Sequence, residues 1–423
     1  MPEILIKNGR LICPGQCIDE VADLLVKDGK IARIGKIAEP AGEVIDASGK
    51  IVCPGLIDMH VHLREPGDSQ EETIASGSAA AIAGGFTTIV AMPNTEPPID
   101  NPIVAEYVIN KARQAGHANV YFAAAITKGR KGEELSEMAL LTRCGVAAFS
   151  DDGSWVVSGS VMAKALKYAL LHGRPIISHC EDPLLGGKGV MNAGATASAL
   201  GLAGIPRSAE EVAVARDLLL ARETGGRIHI THVSTAGSVT LIRDAKNRGV
   251  NVTADATPHH LTLTEEAVRG YDANFKMKPP LRSSTDVEAL RAGLKDGTID
   301  AIASDHAPHS CDEKDCEFDQ AANGVIGLES SLAVLITELV EPGLLTWSEL
   351  IAAMTTGPAK ALGIGKGTLR PGADADVLII DPSAEWTIDP ERFVSLGRNC
   401  PFAGKNVTGQ AEIVIVGGVV RQA

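Results

Sequence analysis

Four histidines and two aspartates close five short apolar runs, each at the point where a β-strand would give way to a loop. The runs are Gly55-Leu-Ile-Asp-Met-His-Val-His-Leu-Arg64, Phe149-Ser-Asp-Asp152, Ile176-Ile-Ser-His179, Ile228-His-Ile-Thr-His232 and Ala301-Ile-Ala-Ser-Asp305. Side chains two apart on a strand project to one side, so His60 and His62 form a pair. Imidazole and carboxylate donors suit Zn²⁺ best among common ions, with Mn²⁺ or Co²⁺ as substitutes. A carboxylate between two ions ~3.5–4 Å apart bridges them, and a water held between them loses a proton near neutral pH. That chemistry is hydrolytic. Asp305 can touch one ion and also hydrogen-bond that water, which makes it the natural proton shuttle.

Strand parity separates ligands from neighbours. Taking Ala148, Ser150 and Asp152 as the inward set turns Phe149 toward a helix layer and makes Asp152 the ligand; Asp151 is then expected to be a solvated or turn-capping carboxylate ahead of Gly153. By parity with Ile228, Ile230 and His232, His229 is expected to face outward as a structural residue. His259, His260 and His306 are expected to support the ligands rather than bind metal, and His117 and His172 have no evident role.

Six side chains from five strand ends meet only if those ends lie around one mouth. Strand candidates at Thr87–Val90, Val120–Ile126, Val146–Asp152, Pro175–His179, Ile228–Val233, Val250–Ala254 and Ala301–Asp305 alternate with helical stretches. One helix runs from Ser160 to Leu171 and stops before Gly173 and Pro175; another starts at Ser208, three residues ahead of Glu211 in capping-box spacing. With the strand ending at His60-Val-His62, these make eight βα units, a (β/α)8 barrel over residues 54–365. In that architecture the active site lies where the strands end. Short strands punctuated by Asn8-Gly9, Asp28-Gly29 and Ser48-Gly49 fill residues 1–53, and the same style returns in 366–423. A small β-sandwich built from both chain ends is expected.

The 423 residues are 45% hydrophobic and 22% charged with a formal net charge of −14, which argues against nucleic acid or an anionic membrane as main partner. Met1-Pro-Glu-Ile-Leu-Ile-Lys7 lacks the pattern of a signal peptide, and no apolar run is long enough to span a bilayer. Of the eight cysteines, Cys53, Cys144 and Cys180 are expected to be buried thiols. Neither Cys13/Cys17 nor Cys311/Cys316 has zinc-knuckle spacing. A cytoplasmic protein is expected.

Several longer motifs carry a resemblance: His60-Val-His-Leu-Arg-Glu-Pro-Gly67, Met92-Pro-Asn94, Phe149-Ser-Asp-Asp-Gly153, His179-Cys-Glu-Asp182, Thr231-His-Val-Ser234, Ala303-Ser-Asp-His-Ala-Pro-His309 and Gly327-Leu-Glu329. Together the chain resembles the cyclic amidohydrolases, and within them the dihydroorotases, in the longer form found in many bacteria. The resemblance implies reversible closure of N-carbamoyl-L-aspartate to L-dihydroorotate, a step of pyrimidine synthesis, by attack of a metal-bridging hydroxide in the ring-opening direction. It implies two divalent ions. His60, His62 and Asp305 would hold the first, Asp152 would bridge, and His179 and His232 would hold the second. Arg64, Asn94 and His309 match positions that hold the substrate's carboxylate and ring, and Asn323 and Gly324 match the loop whose backbone meets the pyrimidine edge.

Two departures stand out. Many relatives bridge their metals with a carboxylated Lys from the fourth strand; this strand ends Ser150-Asp-Asp152, and Asp152 is read as the stand-in. Lys278 stands where the family usually has a substrate-contacting Asn. The alternatives are an allantoinase or hydantoinase, which the Arg64 position and the missing Lys disfavour, and a non-catalytic partner of aspartate transcarbamoylase, which six intact ligand positions disfavour. A homo-oligomer is expected, with docking to such a transcarbamoylase possible for an active enzyme.

Overall fold

The computed structural model describes residues 3–38 and 42–422, so the first two residues of the N-terminal reading lie outside the described ones. Eight parallel strands follow one another in chain order: β1 (Leu56–Val61), β2 (Phe86–Ala91), β3 (Asn119–Ala124), β4 (Ala148–Ser150), β5 (Ile176–Ser178), β6 (Ile228–Ile230), β7 (Val252–Ala256) and β8 (Ala301–Ile302). Each pairs with the next, and the sheet closes where His306 bridges Val61 and His62 N donates to His306 O at 2.8 Å. Helices on the outside cover the strands, so the strands are buried on both faces and read as near-continuous apolar runs. This is the expected (β/α)8 barrel.

Two cores divide the strand side chains. Ile57, Met59, Val90, Ala123, Ala148, Ile177, Ala301 and Ala303 fill the barrel interior. Leu56, Val61, Phe86, Phe122, Phe149, Ile176, Ile228 and Ile230 pack under the helices. Ala148 and Phe149 thus take the sides that parity assigns them. In β1, Met59 faces the interior and Val61 the helices although they share parity. A register shift between Asp58 and Val61 causes this, and such irregularities re-aim side chains. It turns His60 and His62 into the mouth.

The helix from Gly159 to Leu171 is capped by Ser158, whose side chain accepts from Val161 N. The next predicted start is corrected: the helix spans Arg207–Thr224 behind Pro206, and Ser208 lies inside its first turn without capping. Pro206 fixes an extended conformation directly after the short strand Gly204–Ile205, leaving no room for a separate cap.

Strands Ile4–Cys13, Ile18–Lys27, Lys30–Gly35, Glu43–Asp46 and Ile51–Pro54 join Val377–Thr387, Asn406–Val416 and Val419–Gln422 in one sheet, branched at the first strand. Asp28 and Gly29, at φ 52° and 74°, make the tight hairpin their sequence announces. This sheet has its own core, with Ile6, Leu24, Val52, Val377 and Ile415 from both chain ends.

Candidate metal-dependent active site

Every predicted ligand lies at the C-terminal mouth of the barrel, and Asp152 is at the centre. Its carboxylate is 3.3 Å from His60 Nε2, 3.6 Å from His62 Nε2, 3.7 Å from His179 Nδ1 and 3.8 Å from His232 Nε2. Asp305 Oδ1 lies 3.4 Å from His60 Nε2 and 3.2 Å from His62 Nε2. His179 Nδ1 and His232 Nε2 are 2.9 Å apart. Five of the six thus fall into two overlapping clusters, His60–His62–Asp305 and His60–Asp152–His232, with His179 beside the second.

The electrostatics of this cluster call for added positive charge. Burial alone would raise the Asp152 carboxyl, yet the imidazoles around it hold it well below the usual range. Burial likewise opposes ionisation of Asp305, and His60, His62 and His232 more than offset it. Burial lowers His60, but Asp152 and Asp305 outweigh it and draw the ring upward. His60 Nε2 and Asp152 Oδ1 are both buried without a hydrogen-bond partner, an arrangement that proteins rarely leave unfilled. Nitrogen and oxygen lone pairs converging this way fit a divalent ion.

The strand ends achieve this by leaving ideal geometry. His232 and Asp305 have φ of 39° and 50°, in the left-handed region. This corrects one expectation. Ile228 and Ile230 face the helices, so His229 points into the barrel, fully buried between Thr253 and Asp255. His232 reaches the mouth only because its own backbone breaks the alternation. Asp151 is corrected too. It is buried rather than solvated, and accepts from Thr127 N at 3.0 Å and from the Thr127 hydroxyl.

A cavity of about 300 Å³ opens beside the cluster, lined by Arg64, Asn94, His309, Asn323, Gly324 and Lys278 as well as by every predicted metal ligand except His60. All five predicted substrate contacts are therefore at its wall. Arg64, at φ 56°, donates from Nε to Pro308 O at 3.0 Å and pairs with Glu71 Oε2 at 3.1 Å, with Nη2 3.2 Å from His309 Nε2. Burial and the adjacent Arg64 push His309 down to about 4, so its ring is neutral near pH 7. Burial and the neighbouring Glu313 carboxylate push Glu71 up. His62 Nδ1 lies 2.8 Å from Asn94 Oδ1, which leaves the Asn94 amide nitrogen for the cavity. Gly324 has φ 141°, and a Cβ there would meet Ala307 Cβ at 2.7 Å and His309 Nε2 at 3.0 Å, so only glycine fits. Lys278 Nζ pairs with Glu181 Oε1 at 2.9 Å.

Sequence reasoning did not find Glu71, Glu181, Thr231 or Asp255. Glu181, Thr231 and Asp255 each meet a partner distant in the chain, and Glu71 meets Arg64 across seven residues of one loop, a spacing that marks no motif. His306 does support the site's surroundings: Gly327 N donates to its Nδ1 at 3.2 Å and its Nε2 meets Glu72 at 3.3 Å. His260 spans Thr257 Oγ1 and Pro279 O. All eight cysteines are free; Cys53 and Cys180 are buried as expected, while Cys144 is only partly so. Among the described residues no helix is long and apolar enough to cross a membrane.

Known proteins resemble this chain in sequence and in fold. The profile of the Dihydro-orotase-like family matches residues 49–238, and that of the Amidohydrolase family matches residues 208–422. A dihydroorotase of Pelotomaculum thermopropionicum is 55% identical over 99% of this chain and 98% of its own, and one of Geobacter metallireducens is 54% identical over 99% of both. Among solved structures, the L-hydantoinase of Arthrobacter aurescens superposes with a TM-score of 0.88 at 30% identity, covering 99% of this chain and 96% of its own. A D-hydantoinase from a Thermus species reaches 0.81 at 26% identity, covering 99% and 94%. With identity above one half sustained from end to end, the chain belongs to the dihydroorotase family of the metal-dependent amidohydrolases.

Proposed function

We propose that this dihydroorotase interconverts N-carbamoyl-L-aspartate and L-dihydroorotate in pyrimidine biosynthesis, at the cavity beside Asp152, with two divalent ions that the donor set marks as zinc. The observation that carries this reading is the position of Asp152, with all four imidazoles within 3.8 Å of one carboxylate and Arg64 on the adjoining wall. His60, His62 and Asp305 would hold one ion, His179 and His232 the other, and Asp152 both. Ions bound there supply Lewis acidity at the ring amide carbonyl and lower the pKa of water.

The remaining chemistry belongs to side chains. Arg64 and the Asn94 amide nitrogen receive the substrate carboxylate, a charge-assisted recognition that orients the ring. His309, neutral near pH 7, can accept or donate at the ring without adding charge. The Asn323–Gly324 backbone approaches the ring edge, where Gly324 leaves space for it. In ring opening, the water that attacks the carbonyl loses a proton to Asp305, which returns it to the leaving nitrogen. Ring closure runs the same transfers backward and takes up one proton, because two carboxylates enter and one leaves. Eight free thiols fit a reducing compartment, the cytoplasm.

The test is turnover of dihydroorotate, 5-substituted hydantoins and allantoin by protein whose metal content has been measured. Dihydroorotate should be strongly preferred, with two ions per chain. Preference for a hydantoin would overturn the substrate. One ion at saturation that survives Asp152→Ala would overturn the bridge.

A further inference from the structure

A buried polar chain leads from the ligand cluster into the barrel interior. His60 Nδ1 lies 2.7 Å from Thr231 Oγ1, and Thr231 Oγ1 lies 3.0 Å from Asp255 Oδ2. The same carboxylate oxygen is 2.7 Å from His229 Nε2, whose Nδ1 is 2.8 Å from Thr253 Oγ1. The other oxygen, Asp255 Oδ1, accepts from His232 N at 2.7 Å. His60, Thr231, Asp255 and His229 are all buried.

The direction of each bond follows from the inventory of protons. A carboxylate offers only lone pairs, so the single hydroxyl proton of Thr231 goes to Asp255. Thr231 Oγ1 is then an acceptor toward His60, and His60 must supply the proton from Nδ1. In the neutral form, the one that can bind a metal, an imidazole has only one such proton. His60 Nε2 is therefore bare, and it is the nitrogen that faces Asp152 and Asp305 without a hydrogen-bond partner. Through Oδ1 the same carboxylate also anchors the amide of His232, whose φ of 39° turns that ring into the mouth.

We propose that Asp255 is a positioning residue: acting through Thr231 it sets His60 in the Nδ1–H tautomer that leaves Nε2 free for a metal, and through the His232 backbone it aims a ligand of the other half of the cluster. One buried carboxylate thus organises both halves. The proposal rests on the metal reading of the site above.

Asp255→Asn discriminates sharply, because the amide can enter in only one orientation. The His232 N–H requires an acceptor, so the amide oxygen takes the Oδ1 place and the amide nitrogen faces Thr231 and His229. Thr231 Oγ1 then accepts, its proton turns to His60 Nδ1, and His60 is driven into the Nε2–H tautomer, which cannot ligate. The logic matches the tautomer loss seen when a triad aspartate becomes asparagine. Thr231→Val removes the relay without forcing the flip, and Thr231→Ser restores it.

Two measurements on the full chain test this. Zinc affinity, from competition with a chromophoric chelator, should fall about 10–100-fold in Asp255→Asn, the range for groups that orient metal ligands. It should fall less in Thr231→Val and recover in Thr231→Ser. Histidine ¹⁵N resonances of the chelator-treated protein, recorded at a pH where His60 has lost its second proton and with His60 assigned by a His60→Gln control, should show the protonated nitrogen moving from Nδ1 to Nε2 in Asp255→Asn. Zinc affinity within threefold of wild type, or His60 still protonated at Nδ1, overturns the proposal. If Asp255→Asn fails to fold, a Thr231→Val protein in which His60 stays wholly Nδ1-protonated and binds zinc as wild type does so instead. A wild-type protein that binds no zinc would sink the metal reading, while the ¹⁵N result would still decide the role of Asp255.

Discussion

Lys278→Asn asks what a second cation does at the cavity wall. Lys278 Nζ is 2.9 Å from Glu181 Oε1, and the two side chains are 38% and 5% exposed. The other Glu181 oxygen is buried with no hydrogen-bond partner, so removing the ammonium leaves a nearly buried anion two residues from His179. The wall becomes more negative by one unit. Carbamoyl aspartate carries one more negative charge than dihydroorotate, and that unit alone feels the change differentially. At contact, ~4 Å and an effective dielectric of ~20 would give ~4 kcal/mol. Lys278 is more than a third exposed, so screening cuts this heavily. A separation of ~6–8 Å at a dielectric of ~40–80 gives ~0.5–1.4 kcal/mol, about a fivefold change in the ratio of the two KM values. Initial rates in both directions at pH 7 should show KM for carbamoyl aspartate rising about fivefold relative to that for dihydroorotate at low salt. The effect should shrink at high salt. Lys278→Asn combined with Glu181→Gln removes both charges and should restore the ratio. If both KM values move together, or neither moves, or the double variant keeps the shift, charge at Lys278 plays no part in substrate selection.

Asp305→Ala should lower kcat by ~10²–10⁴ while much of the metal stays bound, since a general acid–base group is lost and five ligands remain; turnover within a few-fold of wild type removes Asp305 from proton transfer. Arg64→Met should raise KM for dihydroorotate by about 10–100-fold, the worth of a hydrogen bond to a charged group at ~1.5–3 kcal/mol, and leave a carboxylate-free hydantoin almost unaffected; equal losses on both would make Arg64 structural. Asp374 joins the two chain ends through Lys30 and Lys366, whose hydrogen bonds hold its carboxyl down at about 2. A native value below the unfolded one means stability that is present above pH ~4 and lost as pH falls through ~2. At 42% exposure that contribution is under ~1 kcal/mol. Asp374→Asn should therefore shift the urea midpoint at pH 7, and the gap from wild type should narrow between pH 4 and pH 2; a constant gap refutes it.

The ligand types, their places at strand ends and the barrel order are readable from the chain because each depends on a local property. An apolar run makes a buried strand, and a period of two puts Ala148 and Asp152 on one side and Phe149 on the other. That rule holds only while the backbone stays extended. At the mouth it does not: the β1 register shift turns His60 and His62 inward, and Arg64, His232 and Asp305 adopt positive φ. Hence the parity argument placed His229 on the wrong side. The conformations that break the rule are held by groups far away in sequence. Asp58 accepts from His60 N at 3.1 Å and from Ser304 N at 3.1 Å, tying β1 to the end of β8, and Asp255 anchors His232 from the next strand. Burial of Asp151 against Thr127 and the contact of Arg64 with Pro308 likewise arise only when separate loops meet. Local pattern named the residues that could bind metal; long-range hydrogen bonds, which overcome the steric preference of single residues at the barrel mouth, decided which atoms face one another.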